Sequence, residues 1–416
     1  MVALSACGGS GSGSKRLNLV IGNALPLSGT SKALGQSGLK ASSLALEQIK
    51  SAIGRTGSQH SVKTVQRDEG QDPASASQAA ANLVSQARAS CLTGPWSADG
   101  VERVANEVTV PSRVLQIAPV PANAHVTELN DHDLVNSTAL PESEEGAALS
   151  TAIERDLGGA PGHTVNVAAS SDSYGMTLRR EFVEAWQGMK GTVGQQVVLP
   201  PPPAGGSSTY SAEVSQLTSG SPSAILVIDE LHSLPELMPA LSSTSGWNAE
   251  IAWGSGQLAS PGLPGLVGSA AVDGMRALAP GIPQDLDAST AFVRDFKAAD
   301  PRNVKLAPFA AQEFDATILC YLAAVAAGST SGQKMADELI DITAPGGEQF
   351  SWQQLPDAIK ALEEGKDIDY TGASGAIDMD VHGNPTRGVF GIYRYAGGRL
   401  EAVGEVPVAK PNPATP

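Results

Sequence analysis

Few residues in this chain carry catalytic chemistry, and they are scattered. The six histidines (60, 125, 132, 163, 232 and 382) never fall at the spacing of a metal-ligand set. There is no Gly-x-Ser-x-Gly elbow, no His-Glu-x-x-His and no phosphate-loop lysine. The glycine–serine run at 8–14 follows no strand, so it is not a dinucleotide loop. What the chain does hold is a series of polar turns, each set after an apolar run. These are Pro26-Leu27-Ser28-Gly29, Thr93-Gly94-Pro95-Trp96-Ser97, Asp229-Glu230 and Gly254-Ser255-Gly256-Gln257. Their hydroxyls and amides donate, their carboxylates accept, and their aromatic rings can wall an apolar ligand. That is the chemistry of reversible capture. No enzyme activity, no metal and no cofactor is expected.

Such turns need a scaffold that gathers strand ends. Leu17–Gly22 reads as a strand, about 35–49 as a helix, and Val62–Gln66 as a second strand. Asp72-Pro73 then opens a helix to about 89, with Pro at its first turn. Another strand is read at Ser112–Ile117. From 143 a second series begins: helix 143–156, strand 165–169, helix 176–189, strand 194–199, helix 210–218, strand 224–228, helix 234–242, and strands 250–253 and 273–279. The four prolines 200–203 cannot donate to a ladder and form a loop. Helices are read at 288–299, 313–327 and 352–363, and a β-ribbon at 389–395 with 399–403. Alternating β and α units predict open parallel sheets, with ligands at the carboxyl ends of the strands. A chain of 416 residues exceeds one simple core, which predicts two α/β lobes.

Composition narrows the partners. Lys and Arg total 27 against 43 Asp and Glu, a net charge of −16, and no basic stripe is present. Such a surface repels phosphate backbones, so nucleic acid is not an expected partner. Hydrophobic content of 41% marks a globular chain. No apolar run reaches the roughly eighteen residues a membrane span needs.

The order of these pieces resembles the type I periplasmic binding proteins, nearest to the branched-chain amino acid receptors (Leu/Ile/Val-binding-like) of ABC importers. The resemblance adds to the turns above Leu34-Gly35-Gln36, Asp72-Pro73-Ala74 and Ala118-Pro119-Val120-Pro121-Ala122-Asn123. It continues with Ser173-Tyr174-Gly175, Gly254–Ser260, Phe314-Asp315-Ala316 and Tyr370–Asp378 followed by Gly383-Asn384-Pro385. It covers nearly all of 16–403. It implies two doubly wound Rossmann-like lobes joined by a three-segment hinge. The first would hold 16–139 with 280–388 and the second 140–279 with 389–406, between a tether at 1–15 and a loose tail at 407–416.

The resemblance also implies site residues. Ser97 stands where the family donates to a ligand carboxylate, and it reads equally as the N-cap of a helix at 100–108. Val120-Pro121-Ala122 replaces a small-small-Thr triplet, losing a backbone N–H at Pro121 and a hydroxyl at Ala122. Asn123 is the candidate to compensate. Tyr174 matches the aromatic lid of the second lobe, and Trp96 and Trp253 flank pocket turns. Gly256 falls where the family carries the acid that holds an ammonium. Asp229 and Glu230 could replace that acid, or be solvated loop charges, the favoured reading. Gln257 could bond a neutral ligand, Ser28 could close the cleft floor, and Phe309 could face the hinge or the core.

Leu4-Ser5-Ala6-Cys7 before a glycine–serine tether resembles a lipobox, implying a lipid anchor on Cys7 and an extracytoplasmic place in a bacterial envelope. Only six residues precede Cys7, with no charged leader before an apolar segment. Cys91 and Cys320 are expected as two buried thiols, with a disulfide as the alternative. The expected function is a monomeric solute receptor working with permease and ATPase subunits. Its expected ligand is a small molecule: amino-acid-like, an amide or an aromatic acid. Alternatives are a sensing receptor uncoupled from transport, or an envelope lipoprotein with an empty cleft.

Overall fold

A computed structural model describes residues 16–121, 124–202, 209–231, 233–245, 247–299 and 304–410. Cys7, Ala122 and Asn123 lie outside the described residues. The first sheet has five parallel strands: β1 Leu17–Leu25, β2 His60–Asp68, β3 Cys91–Thr93, β4 Leu115–Ala118 and β5 Val135–Ser137, in the order β2-β1-β3-β4-β5. The second has seven: β6 Thr164–Ser170, β7 Thr192–Leu199, β8 Ala224–Ile228, β9 Ala252–Ser255 and β10 Arg276–Pro280, joined past a parallel pair β11 Glu348–Ser351 and β12 Ile368–Thr371 by β13 Arg387–Ala396 and β14 Arg399–Ala409. Its order is β14-β13-β10-β9-β8-β6-β7, with β13 and β14 antiparallel. The chain passes between the sheets after β5, after β10 and before β13. The mixed α/β, two-lobed architecture read from the sequence is therefore present.

Helices cover both sheets. On the first, the helix Ala310–Ala326 buries every residue from Ala310 to Val325, so it sits inside the lobe rather than on it. It packs with Lys32–Thr56 against β1, β3 and β4. Among the described residues no helix is long and apolar enough to cross a membrane.

Two motifs separated by 55 residues meet in this lobe. Asp315, inside Phe314-Asp315-Ala316, accepts from the Tyr370 hydroxyl at 3.0 Å, the N–H groups of Ala373 and Ser374 at 2.8 and 2.7 Å, and the Ser374 hydroxyl at 2.6 Å. Burial lifts its pKa to about 6, against the pull of those donors. One carboxylate thus pins the closing motif to the central helix.

Several expectations need correction. Cys91 and Cys320 form a disulfide, with Cα atoms 5.9 Å apart, instead of two thiols. β3 and the 310–326 helix are adjacent only in three dimensions, so their 229-residue separation hid the pair. Residues 407–409 are not loose tail but the end of β14, paired to Arg387–Val389. The strand read at 112–117 starts at Leu115, because Val110–Ser112 still belongs to a helical turn. The helix read to about 89 ends at Ser85. The three-residue β5, the helix Gly332–Leu339 and the β11–β12 pair were not anticipated.

Reducing the Cys91–Cys320 bond releases a long loop in the unfolded chain, a change typically worth about 2–4 kcal/mol. Urea titrations with and without reductant should show a lower midpoint in the reduced protein. An unchanged midpoint would contradict a bonded pair.

Candidate functional site

The two lobes meet where the carboxyl ends of β3, β4, β8 and β9 face one another. The turn after β3 approaches β1 so closely that a Cβ on Gly94, whose φ is +90°, would lie 2.2 Å from the Ala24 carbonyl oxygen. That glycine lets Trp96 and Ser97 enter the cleft. Ser97 is half-buried and accepts from the Gly100 N–H at 3.3 Å, capping the helix Ala98–Val104. The helix read at 100–108 therefore begins at Ala98 and gives way at Ala105 to a wider π turn.

One cavity between the lobes is lined by Trp96, Ala98, Val120, Pro121 and Phe309 from the first and by Glu142, Glu145, Tyr174, Glu230, Gly256 and Gln257 from the second. It holds about 280 Å³ of space free of protein atoms. The structure thus brings together eight residues singled out in the sequence: Trp96, Val120, Pro121, Tyr174, Glu230, Gly256, Gln257 and Phe309. Ser97 lines an adjoining space of about 390 Å³ that shares Trp96, Glu230 and Gln257 and adds Glu69. Phe309 opens the 310–326 helix in the left-handed region, φ +69°, with its ring centroid 5.9 Å from that of Trp96. A non-glycine residue at that φ is strained, and here the strain sets an aromatic ring at the cleft.

Other expectations fall elsewhere. Ser28 is exposed and bonds the Asp68 carboxylate, so it lines neither space. Trp253 packs in the second lobe's core. Asp229 and Glu230 are not solvated. Asp229 is fully buried and accepts from the Ser233 N–H at 2.9 Å ahead of the helix Leu234–Ser242. Glu230 is 8% exposed and accepts from the Ala98 N–H across the cleft.

A carboxylate from another element stands beside position 256. Gly256 has φ +38°, and a Cβ there would meet the Tyr174 hydroxyl at 2.6 Å. Its N–H donates instead to Glu145 at 2.9 Å, and the Tyr174 hydroxyl donates to the same oxygen at 3.1 Å. Glu145 and Glu142 lie in the first turns of the helix Glu142–Leu157, which starts just after the first crossing. Sequence reasoning missed both. The available signal was three glutamates in four positions after Leu140-Pro141, at a point where the chain changes lobes.

The lobes are held together by direct bonds. Gln257 donates to the Trp96 carbonyl at 2.9 Å and accepts from the Ser31 hydroxyl at 2.9 Å. The Ser173 hydroxyl bonds Asp99. The electrostatics are one-sided. Burial raises Glu69, Glu142 and Glu230 well above the ordinary glutamate range, and neighbouring carboxylates push each further. Burial lifts Glu145 to about 7 and Glu313, beneath Trp96, to about 8. The Asn23 amide and Thr93 hydroxyl, at 3.1 and 2.6 Å from Glu313, offset only part of that.

Comparison with known proteins agrees with this geometry. The model of the family described as "periplasmic binding protein" matches residues 18–390, and the chain belongs to that family. It is similar to the chemotactic signal transduction system substrate-binding protein BasB of Halobacterium salinarum, with 23% identity over 89% of this chain and 85% of that protein. Its fold is that of the leucine-binding protein LivK of Thermotoga maritima, with TM-score 0.74 and 20% identity, covering 95% of this chain and 99% of that one. A solute-binding protein of R. palustris solved with benzoate superposes at TM-score 0.68 and 19% identity, covering 95% and 98%. The family is one of substrate-binding receptors.

The raised carboxyls set the pH dependence of folding. A group whose folded pKa exceeds its unfolded value binds more protons in the native state. Its stabilising share is complete below the unfolded pKa, near 4.5, and is lost as pH rises to about 7 for Glu145 and about 8 for Glu313. Stability of the ligand-free protein should therefore fall as the pH climbs from about 5 to about 8, each such carboxyl removing at most about 1.4 kcal/mol for every pH step of one. Glu313→Gln should flatten the slope. Urea unfolding across this range tests it, and stability that rises with pH would contradict it.

Proposed function

We propose that this chain is an extracytoplasmic solute receptor of an ABC importer, without catalytic chemistry. The two lobes, one built on each sheet, rotate shut on a small organic molecule. The observation that carries this reading is a cavity walled by aromatic and polar side chains from both lobes, in a chain of this family. The buried disulfide supports an oxidising compartment. On this reading Cys7 carries a lipid anchor, the receptor is monomeric, and permease and ATPase subunits receive the solute.

A second reading has one observation in its favour. BasB is described as part of a chemotactic signal transduction system, which supports a sensing role for the same cleft. Capture by closure is common to both readings.

A thermal-shift screen of several hundred metabolites tests capture, since a ligand that binds only the native form raises apparent stability. At least one compound should raise the melting temperature. Tyr174→Ala should weaken its binding tenfold or more, about 1.4 kcal/mol. A screen without a hit, on protein shown to be folded, would count against the receptor reading.

A further inference from the structure

The cleft is built for positive charge. Glu142, Glu145 and Glu230 all line it, and among the described residues no lysine or arginine lines either it or the adjoining space. Among the described residues none of these three carboxylates, nor Glu69, is in an ion pair. Glu142 is 1% exposed, and neither of its oxygens has a hydrogen-bond partner. Glu145 is fully buried, and its Oε2 also has none. A buried carboxylate without a partner is expensive, and a fold keeps one only where something compensates for it.

Backbone donors at this cleft are already taken by protein acceptors. At the start of the Ala98–Val104 helix, the Trp96 N–H already donates to both Glu69 oxygens, at 3.1 and 3.2 Å. The Ala98 N–H donates to Glu230 and the Gly100 N–H to Ser97. Protein acids thus occupy donors that a ligand carboxylate would seek. The other walls include the rings of Trp96, Tyr174 and Phe309, a type of surface that attracts cations, beside the apolar Ala98, Val120 and Pro121.

We propose that the ligand is a small organic cation without a carboxylate, its nitrogen set against Glu142 and Glu145 and its apolar part against Trp96, Tyr174 and Phe309. This rests on the receptor reading above and narrows it. The room left for water-sized molecules between these walls is only about 20 Å³, roughly that of one water, so the ligand is small and the lobes part to admit it. Among the classes expected from the sequence, an aromatic acid suits these walls least.

Matched probes test this by calorimetry on the intact protein. The cations are 3-methylbutylammonium, benzylammonium and tetramethylammonium. Their counterparts are leucine, which adds a carboxylate to the first, benzoate, and the neutral 3-methylbutanol. At least one cation should bind tenfold or more tighter than every counterpart. Glu142→Gln should weaken that binding at least tenfold while raising the melting temperature, because it removes a carboxyl that is costly to bury without a partner. A carboxylate kept only for folding would lower the melting temperature instead. Should Glu142→Gln fail to fold, Glu145→Gln takes its place, and the wild-type panel still discriminates. Tighter binding of leucine or benzoate would overturn the inference and leave the receptor reading intact. No binding by any probe would also overturn it, and the metabolite screen would then judge the receptor reading separately.

Discussion

Glutamates buried between two lobes without a countercharge are the constraint on which the rest of this structure turns. Stripping a carboxylate of water costs several kcal/mol unless donors or a cation replace the water. Here Glu145 has two donors, Glu230 has one from the opposite lobe, and Glu142 has none. Neighbouring acids raise the cost further. The cleft is therefore held by the bonds of Gln257 to Ser31 and the Trp96 carbonyl, of Ser173 to Asp99 and of Glu230 to the Ala98 N–H, hydrogen bonds worth about 1 kcal/mol each. That is a weak latch over an unfavourable charge distribution, which a cation would convert into a favourable one.

The fold supplies the geometry. The passage after β5 puts the start of the 142–157 helix beside the cleft, so Glu142 and Glu145 line it. Gly94 lets one turn approach β1, and Gly256 leaves room for the Tyr174 hydroxyl. Asp315 fixes the closing motif to the 310–326 helix, and Phe309 at that helix's start is held in a strained conformation on Trp96. A strained, polar seam between two lobes suits the capture by closure proposed above.

Much of this could be read from residue order. Apolar runs ending in polar turns located β1, β6 and β8 closely, because buried parallel strands are short apolar stretches with breakers after them. The same turns marked Trp96, Tyr174, Gly256 and Gln257, which do share one cavity. What escaped was anything set by distance in space. Glu142 and Glu145 at a helix start look like ordinary dipole-complementing surface acids, and only the crossing buries them. Cys91 and Cys320 meet through sheet–helix packing. β5 is too short to announce itself, and β14 continues through Pro407 because its partner strand is paired on the other side.

The most direct measurement is a carbon-13 NMR titration of the side-chain carboxyls of Glu142, Glu145 and Glu230, alone and with the tightest-binding cation. The account predicts midpoints raised above the ordinary glutamate range in the free protein, falling for all three when the cation binds. Ordinary midpoints in the free protein, or raised ones that the cation does not move, would contradict it.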